Sequence, residues 1–313
     1  MQEVVSQLNI VKYCRGYGLS IWQCPQFLFL VMGLIIILTS IGSYLIGSSY
    51  ITDPSLVALI VIIITGVLFI ISYIITRSFE RLAEASRMKS EFINIVSHQL
   101  RSPITNIKWI ADFLTSEDVE IADNKKDEYY THLKENISRM VELIDDLLIV
   151  SKIEEGSFPL KKTKSSLNDL VYEVIERSKA FAEVCNIKIV FNPKESLPSA
   201  FFDPNLIKLV VENLIDNAIR YTKKGGRVEI ETECRKNRLY FSIKDNGVGI
   251  PKQDQKYIFG KFFRAENAMR NQTKGSGLGL YIAKSIIIKS GGRIWFDSEA
   301  NKGTTFHFLI PTK

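Results

Sequence analysis

Three groups of residues carry side chains and spacings that could do chemistry. His98 stands in the segment Ser97-His98-Gln99-Leu100-Arg101-Ser102-Pro103-Ile104-Thr105. A neutral imidazole keeps one free lone pair and can act as a nucleophile. Asn213 and Asn217 lie in Glu212-Asn213-Leu214-Ile215-Asp216-Asn217-Ala218-Ile219-Arg220-Tyr221. On a helix this spacing puts both amides on one face, and an amide oxygen is a hard donor suited to Mg2+. Glycines cluster in Asp245-Asn246-Gly247-Val248-Gly249 and in Gly275-Ser276-Gly277-Leu278-Gly279-Leu280. A glycine loop that opens a helix can hold phosphate through backbone N–H groups and the helix dipole. Neither cluster is a Walker A or a Rossmann G-x-G-x-x-G pattern.

The remaining composition narrows the class. Cys14, Cys24, Cys185 and Cys234 are not at metal-ligand spacing and read as free thiols in a reducing compartment. The net charge of +6 is explained largely by basic residues flanking apolar runs, so it does not point to direct nucleic-acid binding. His132 and His307 lack surroundings like those of His98 and are read as structural.

Residues 27–47 and 56–76 contain no charge. Each run is long enough to cross a hydrocarbon core of about 30 Å as a helix. Lys12 and Arg15 precede the first; Arg77, Arg81, Arg87 and Lys89 follow the second; the loop 48–55 between them carries only Asp53. The positive-inside rule places both termini in the cytoplasm of a cell-membrane protein. The loop is too short to form a ligand pocket, so lipids, a membrane partner or a cytoplasmic protein are the expected sources of any signal. Thr39, Ser43 and Gly47 offer a small-residue face for helix packing.

Between Leu56 and Ser102 there is no proline and only one glycine, Gly66, so the second span is expected to run on as helix. Ile93, Leu100, Ile107 and Leu114 recur every seven residues, with Val96, Pro103 and Ile110 three further on. Leu133, Ile137, Met140, Ile144 and Leu147 form a second seam. A helical hairpin buries too little alone; two from two chains make a four-helix bundle, which implies a homodimer. His98 falls on the outer face of its seam, and Pro103, one turn on, should bend the helix. Beyond a polar linker, residues 167–313 alternate helix-like stretches (167–182, 205–221) with strand-like pairs (227–233 with 238–244, 293–298 with 304–310). That pattern predicts a mixed, largely antiparallel sheet with helices on one face.

Taken in this order, the His98 segment, the two-asparagine helix, Asp245-Asn246-Gly247-Val248-Gly249, Tyr257-Ile258-Phe259-Gly260-Lys261-Phe262-Phe263-Arg264 and Gly275-Ser276-Gly277-Leu278-Gly279-Leu280 closely resemble sensor histidine kinases of two-component systems. The likeness covers about residues 85–313. Together with the apolar runs and their flanking charges, it gives a multi-domain chain: a cytoplasmic segment 1–26, two transmembrane helices in 27–76, a linker helix 77–90, a helical hairpin 91–155 forming a dimeric four-helix bundle, and, by the resemblance, an α/β sandwich ATP-binding domain 165–313, of the fold shared with gyrase, heat-shock chaperone and mismatch-repair ATPases.

By that resemblance His98 accepts the γ-phosphoryl of ATP and passes it to an aspartate of a response-regulator receiver domain. Asn217 should coordinate Mg2+ with Asn213 beside it, Arg220 contact phosphate, and Tyr221 lie near the adenine. Asp245 should accept a hydrogen bond from the adenine amino group, with Gly247 and Gly249 allowing close approach. Residues 250–274 should form a lid anchored by Phe259 and Phe262. Gly275, Gly277, Leu278 and Gly279 should close over the phosphates, and Thr305 complete the site. In the related ATPases a water-activating glutamate takes the place of Asn213; an asparagine cannot be that base, which favours transfer over hydrolysis.

The sequence departs from the pattern after the histidine, where many members carry Glu or Asp and this chain has Gln99. Gln99 can accept the ring N–H but cannot take a proton. Gln99 and Ser102 also occupy the positions of a pair that orients water for dephosphorylating the regulator. Two other readings fit parts of the sequence: a non-catalytic ATP-binding membrane adaptor, which Gln99 favours, and a membrane-tethered ATPase, which Asn213 and the His98 segment oppose.

Overall fold

The computed structural model describes residues 25–116, 123–156, 159–194, 197–265 and 275–312. The expected cytoplasmic segment with Lys12 and Arg15, and lid residues 266–274, therefore lie outside the described residues. The chain divides into two units, Met1–Gln99 and Leu100–Lys313.

In the first unit, helix α1 (Pro25–Tyr50) is antiparallel in sequence to the start of helix α2 (Pro54–Thr115), and both are long and apolar enough to cross a membrane. The expected loop 48–55 contracts to residues 51–53. Asp53 caps α2 by accepting the N–H and the hydroxyl of Ser55 at 2.9 and 2.6 Å, and Pro54 supplies a first helical residue with no N–H to satisfy. The two helices meet through Ser40, whose hydroxyl lies 2.8 Å from that of Thr65, and through Gly47, where an added Cβ would come within 2.9 Å of Val57. Ser43 and Gly47 lie on this half-buried face, but Thr39 is exposed and bonds the carbonyl of Ile35. Ser40, one residue on, takes its place because the contact face follows steps of three and four. His98 is exposed, as its outer position in the seam requires.

In the second unit, the remainder of α2 and helix α3 (Asp123–Glu154) form a hairpin. The helix continues through Pro103. Ile110, Leu143 and Val150 are buried, and Trp109, Phe113 and Tyr129 cluster near the turn, with Phe113 and Tyr129 centroids 4.9 Å apart. The seam expected on α3 divides. Leu133, Met140 and Leu147 are half-buried, whereas Ile137 and Ile144 are exposed and join Val141 and Leu148 in a second apolar stripe. A stripe of that width is more than one hairpin covers.

The rest is an α/β domain. A five-stranded sheet runs in the order β2 (Lys188–Pro193), β4 (Arg227–Arg235), β5 (Arg238–Asp245), β7 (Gly303–Pro311), β6 (Arg293–Glu299), and only β2 and β4 are parallel. Strands β1 (Thr163–Ser165) and β3 (Ala200–Phe202) pair separately. Helices α4 (Leu167–Val184), α5 (Pro204–Tyr221) and α6 (Gly279–Lys289) pack together and on the sheet. Asp203 starts α5: one carboxylate oxygen accepts the N–H groups of Asn205 and Leu206, and the other accepts that of Lys161, fastening the linker. The α5 face carrying Ile207, Val210, Val211, Leu214, Ile215 and Ala218 is buried, with Phe241 and Phe308 stacked in the same core. Elsewhere on the sheet His307 is held as a structural residue. Its Nδ1 lies 2.7 Å from the Tyr240 hydroxyl, its Nε2 3.1 Å from Asp297, and its ring stacks on Trp295.

Candidate active site

Burying the apolar face of α5 turns its other edge outward, and that edge carries Asn213, Asp216, Asn217, Arg220 and Tyr221 into one cleft. The side-chain N–H of Asn213 donates to the Leu209 carbonyl at 3.0 Å, which turns its oxygen away from the helix and leaves it available as a ligand atom. Arg220 lies 5.5 Å over the ring of Phe181 and 4.0 Å from Asp216. Burial raises the Asp216 carboxyl, and Arg220 pulls it back.

At the end of β5, Asp245 is buried at the base of the cleft. Its Oδ1 accepts the N–H of Gly247 at 2.9 Å and that of Thr304 at 3.2 Å. Burial outweighs these two bonds and pushes the carboxyl up to about 6. Gly247 does not itself line the cleft. A Cβ there would meet the Tyr221 carbonyl at 2.1 Å, and the N–H of Val248 donates to that carbonyl, so the turn is stitched to the end of α5. This stitch sets Asp245 beside Tyr221.

The far wall is apolar: Ile250, Ile258, Phe263 and Phe306 line it together with Val248. Gly249, Gly275, Gly277 and Gly279 also line the cleft. Phe259 lies behind it, packed on Phe296 and Phe306. Leu278 is fully buried at the start of α6. Thr305 is displaced by its neighbour. Successive strand residues face opposite sides, so Thr304 lines the cleft and Thr305 pairs across from Lys244 and Asp297 on the other face. The apolar wall was missed in the sequence, where Ile250, Ile258 and Phe263 were assigned only to the lid. Glu142 and Asp146, contributed to the cleft by α3, were missed as well. The hydroxyl of Ser276 lies 2.7 Å from Asp146. Burial raises the Asp146 carboxyl, Ser276 opposes the rise and Glu142 adds to it.

An apolar slot with a single buried carboxylate suits a flat ring that carries an amino group. Amide oxygens, an arginine and a glycine loop at a helix start suit a phosphate chain and its cation. The residues present therefore fit ATP with Mg2+.

Two predictions follow from this geometry. A Cβ on Gly279 would come within 2.4 Å of the Asn213 oxygen, a side-chain end that can swing aside. Gly279→Ala should therefore leave the melting temperature within about 2 °C of wild type while weakening ATP binding about tenfold, because the Asn213 oxygen is pushed from its place in the cleft. Calorimetric titration beside a thermal melt checks both.

The second concerns pH. The folded carboxyl of Asp245 holds its proton up to about pH 6, above its ordinary value of 3.8. Its contribution to the stability of the free protein is thus full below 3.8 and lost as pH rises through 6. If the carboxylate is what receives the amino group of a base, nucleotide binding runs the opposite way. Affinity for ADP should fall about tenfold per pH unit below 6. Adenosine, which has no titrating phosphate, should show the same trend.

Two family models match the chain in series. One, described as the His Kinase A (phospho-acceptor) domain, matches residues 88–156; the other, described as the histidine kinase-, DNA gyrase B-, and HSP90-like ATPase, matches residues 202–313. The sensor histidine kinase WalK of Bacillus subtilis is 32% identical over 230 residues, which cover 72% of this chain and 37% of that protein. The adaptive-response sensory kinase SasA of Synechocystis is 32% identical over 244 residues, covering 76% and 63%. The chain thus spans less than two thirds of the length of these relatives. Among solved structures, histidine kinase ThkA in complex with response regulator protein TrrA aligns with a TM-score of 0.57 at 27% identity, over 75% of this chain and 64% of that one. The histidine kinase AdeS of Acinetobacter baumannii aligns with a TM-score of 0.57 at 22% identity, over 69% and 98%, a likeness of fold. With a phospho-acceptor hairpin followed by an ATPase-type domain, both matched by their family models and both built as the residues require, the chain belongs to the sensor histidine kinases of two-component systems.

Proposed function

We propose that the chain is an ATP-dependent protein-histidine kinase that phosphorylates its own His98 and passes the phosphoryl to an aspartate of a response-regulator receiver domain. The observation that carries this reading is Asp245. One carboxylate oxygen is committed to two backbone N–H groups at the base of an apolar slot, and the other is left for an amino group. ATP would supply the phosphoryl group, and Mg2+, held by Asn217 with Asn213 beside it, would neutralise charge on the phosphates. Arg220 would bind phosphate. His98, exposed on α2, would present a neutral ring nitrogen, with Gln99 accepting the N–H of the other. Gln99 and Ser102 would orient water for dephosphorylation of the regulator.

The exposed stripe of Ile137, Val141, Ile144 and Leu148 supports a homodimer with a four-helix bundle. The two apolar helices support a multi-pass membrane protein with both termini in the cytoplasm, as Arg77 and Arg81 after the second span favour. The test is phosphotransfer: incubate the chain with γ-labelled ATP and Mg2+, add receiver domains, and follow label leaving the kinase. Label that never forms, with ATP bound, would leave a nucleotide-gated adaptor instead.

A further inference from the structure

One hydroxyl joins the two sides of the base slot. Ser298 stands on β6 directly across from Thr304 on β7. Its Oγ accepts the backbone N–H of Ile250 at 2.8 Å, donates to the Gly303 carbonyl at 3.1 Å and lies 2.8 Å from the Thr304 hydroxyl. Ile250 belongs to the apolar wall, and Thr304 lines the cleft with Asp245, whose Oδ1 accepts the Thr304 N–H. A second tie runs beside the first. The side-chain amide of Gln255 donates to the carbonyls of Ile250 and Ser298 at 3.1 and 3.0 Å. The wall is therefore fastened to β6 through both backbone polar groups of Ile250.

A hydroxyl has one proton and two lone pairs. The N–H of Ile250 can only donate, and the carbonyl of Gly303 can only accept. When all three contacts are made at once, Ser298 takes the Ile250 N–H on one lone pair and gives its own proton to Gly303. One lone pair remains, so Thr304 is the donor in the last pair. The single hydroxyl proton of Thr304 is spent on Ser298, and what that hydroxyl offers a ligand is lone pairs. Beside it stands the Asp245 oxygen that no backbone N–H occupies. The base edge of the slot thus presents acceptors only. An amino group, with two protons, can answer both. A carbonyl at the same place on the ring would meet oxygen on either side, and such a mismatch is how a site rejects a near-isostere.

We propose that Ser298 is a positioning residue that sets base specificity: by taking the proton of Thr304 it keeps the slot edge acceptor-only, and so selects a 6-aminopurine over a 6-oxopurine. This rests on the reading of the cleft as a nucleotide site.

The test is calorimetric titration of the full chain, in detergent micelles with Mg2+, with ADP and with inosine diphosphate, in which a carbonyl replaces the amino group. Wild type should prefer ADP about 100-fold. Ser298→Ala frees the Thr304 proton to turn toward the ligand carbonyl, and the preference should fall to about tenfold, as one hydrogen bond changes from unmade to made. Ser298→Cys keeps the size of the side chain but accepts hydrogen bonds poorly, so it should lose preference in the same way and serves if the alanine variant does not fold. Ser298→Thr keeps the hydroxyl and should keep the wild-type preference. Gln255→Ala loosens the wall without touching the hydroxyl pair, so it should weaken both nucleotides alike, about threefold, and leave their ratio unchanged. A wholly architectural role for Ser298 predicts that same unchanged ratio in its alanine and cysteine variants, and this result overturns the proposal. The two readings fail separately. If wild type binds neither nucleotide, the cleft itself has been misread; if it prefers ADP and the ratio survives in both variants, only the role of Ser298 falls.

Discussion

Replacing His98 with glutamine is expected to reduce label from γ-labelled ATP to below about 0.1% of wild type, because the substitution removes the only proposed nucleophile and leaves an amide nitrogen without a usable lone pair. The step makes an N–P bond as the bond between the γ-phosphorus and the ADP oxygen breaks, and the ring proton must leave. Gln99 cannot take it, so the proton must pass to a group other than Gln99. Transfer depends mainly on positioning and charge stabilisation, which Gln99 leaves intact. Wild-type label should be acid-labile and base-stable, as a phosphoramidate is. Binding of ATP should be unchanged in the variant, since His98 lies outside the set of residues lining the cleft. Label persisting in the variant would place the acceptor elsewhere.

Asp245→Asn is expected to weaken ATP binding at least 100-fold, about 2.7 kcal/mol. The orientation of the new amide decides the outcome. The N–H groups of Gly247 and Thr304 already converge on Oδ1, so the asparagine oxygen must sit there and its NH2 must face the slot. A donor then meets the amino group of the base, and a nearly isosteric change becomes a mismatch. The free variant should fold, because the two backbone bonds survive and burial no longer opposes a charge. Titration with ATP beside a thermal melt separates the two effects. Wild-type affinity in this variant would exclude Asp245 from base recognition.

Much of this was legible in the sequence because it depends on local rules. The long α2 helix follows from the absence of proline up to Pro103, and the two-asparagine edge of α5 follows from a spacing of four. What was not legible depends on partners far along the chain. Strands β1 and β3 have three residues each, too few for alternation to register, and exist only because they find one another. Thr304 and Thr305 are equivalent until the sheet decides which face is the cleft. Ser40 and Thr39 are both small and polar, and only the approach of Thr65 selects one. Glu142 and Asp146 on a charged helix read as a solvated face; nothing within α3 announces that a glycine loop will pack on it.

The length of α2 has a consequence for any stimulus received at the membrane. From Pro54 to His98 the helix is unbroken, about 66 Å at 1.5 Å per residue. Over that distance direction is kept by counting. One residue inserted between positions 77 and 90 would turn His98 by about 100° about the helix axis, while seven would return it to within about 20°. The spacing between the end of the apolar stretch and His98 therefore sets a phase, and a twist applied at one end arrives at the imidazole as a change of heading.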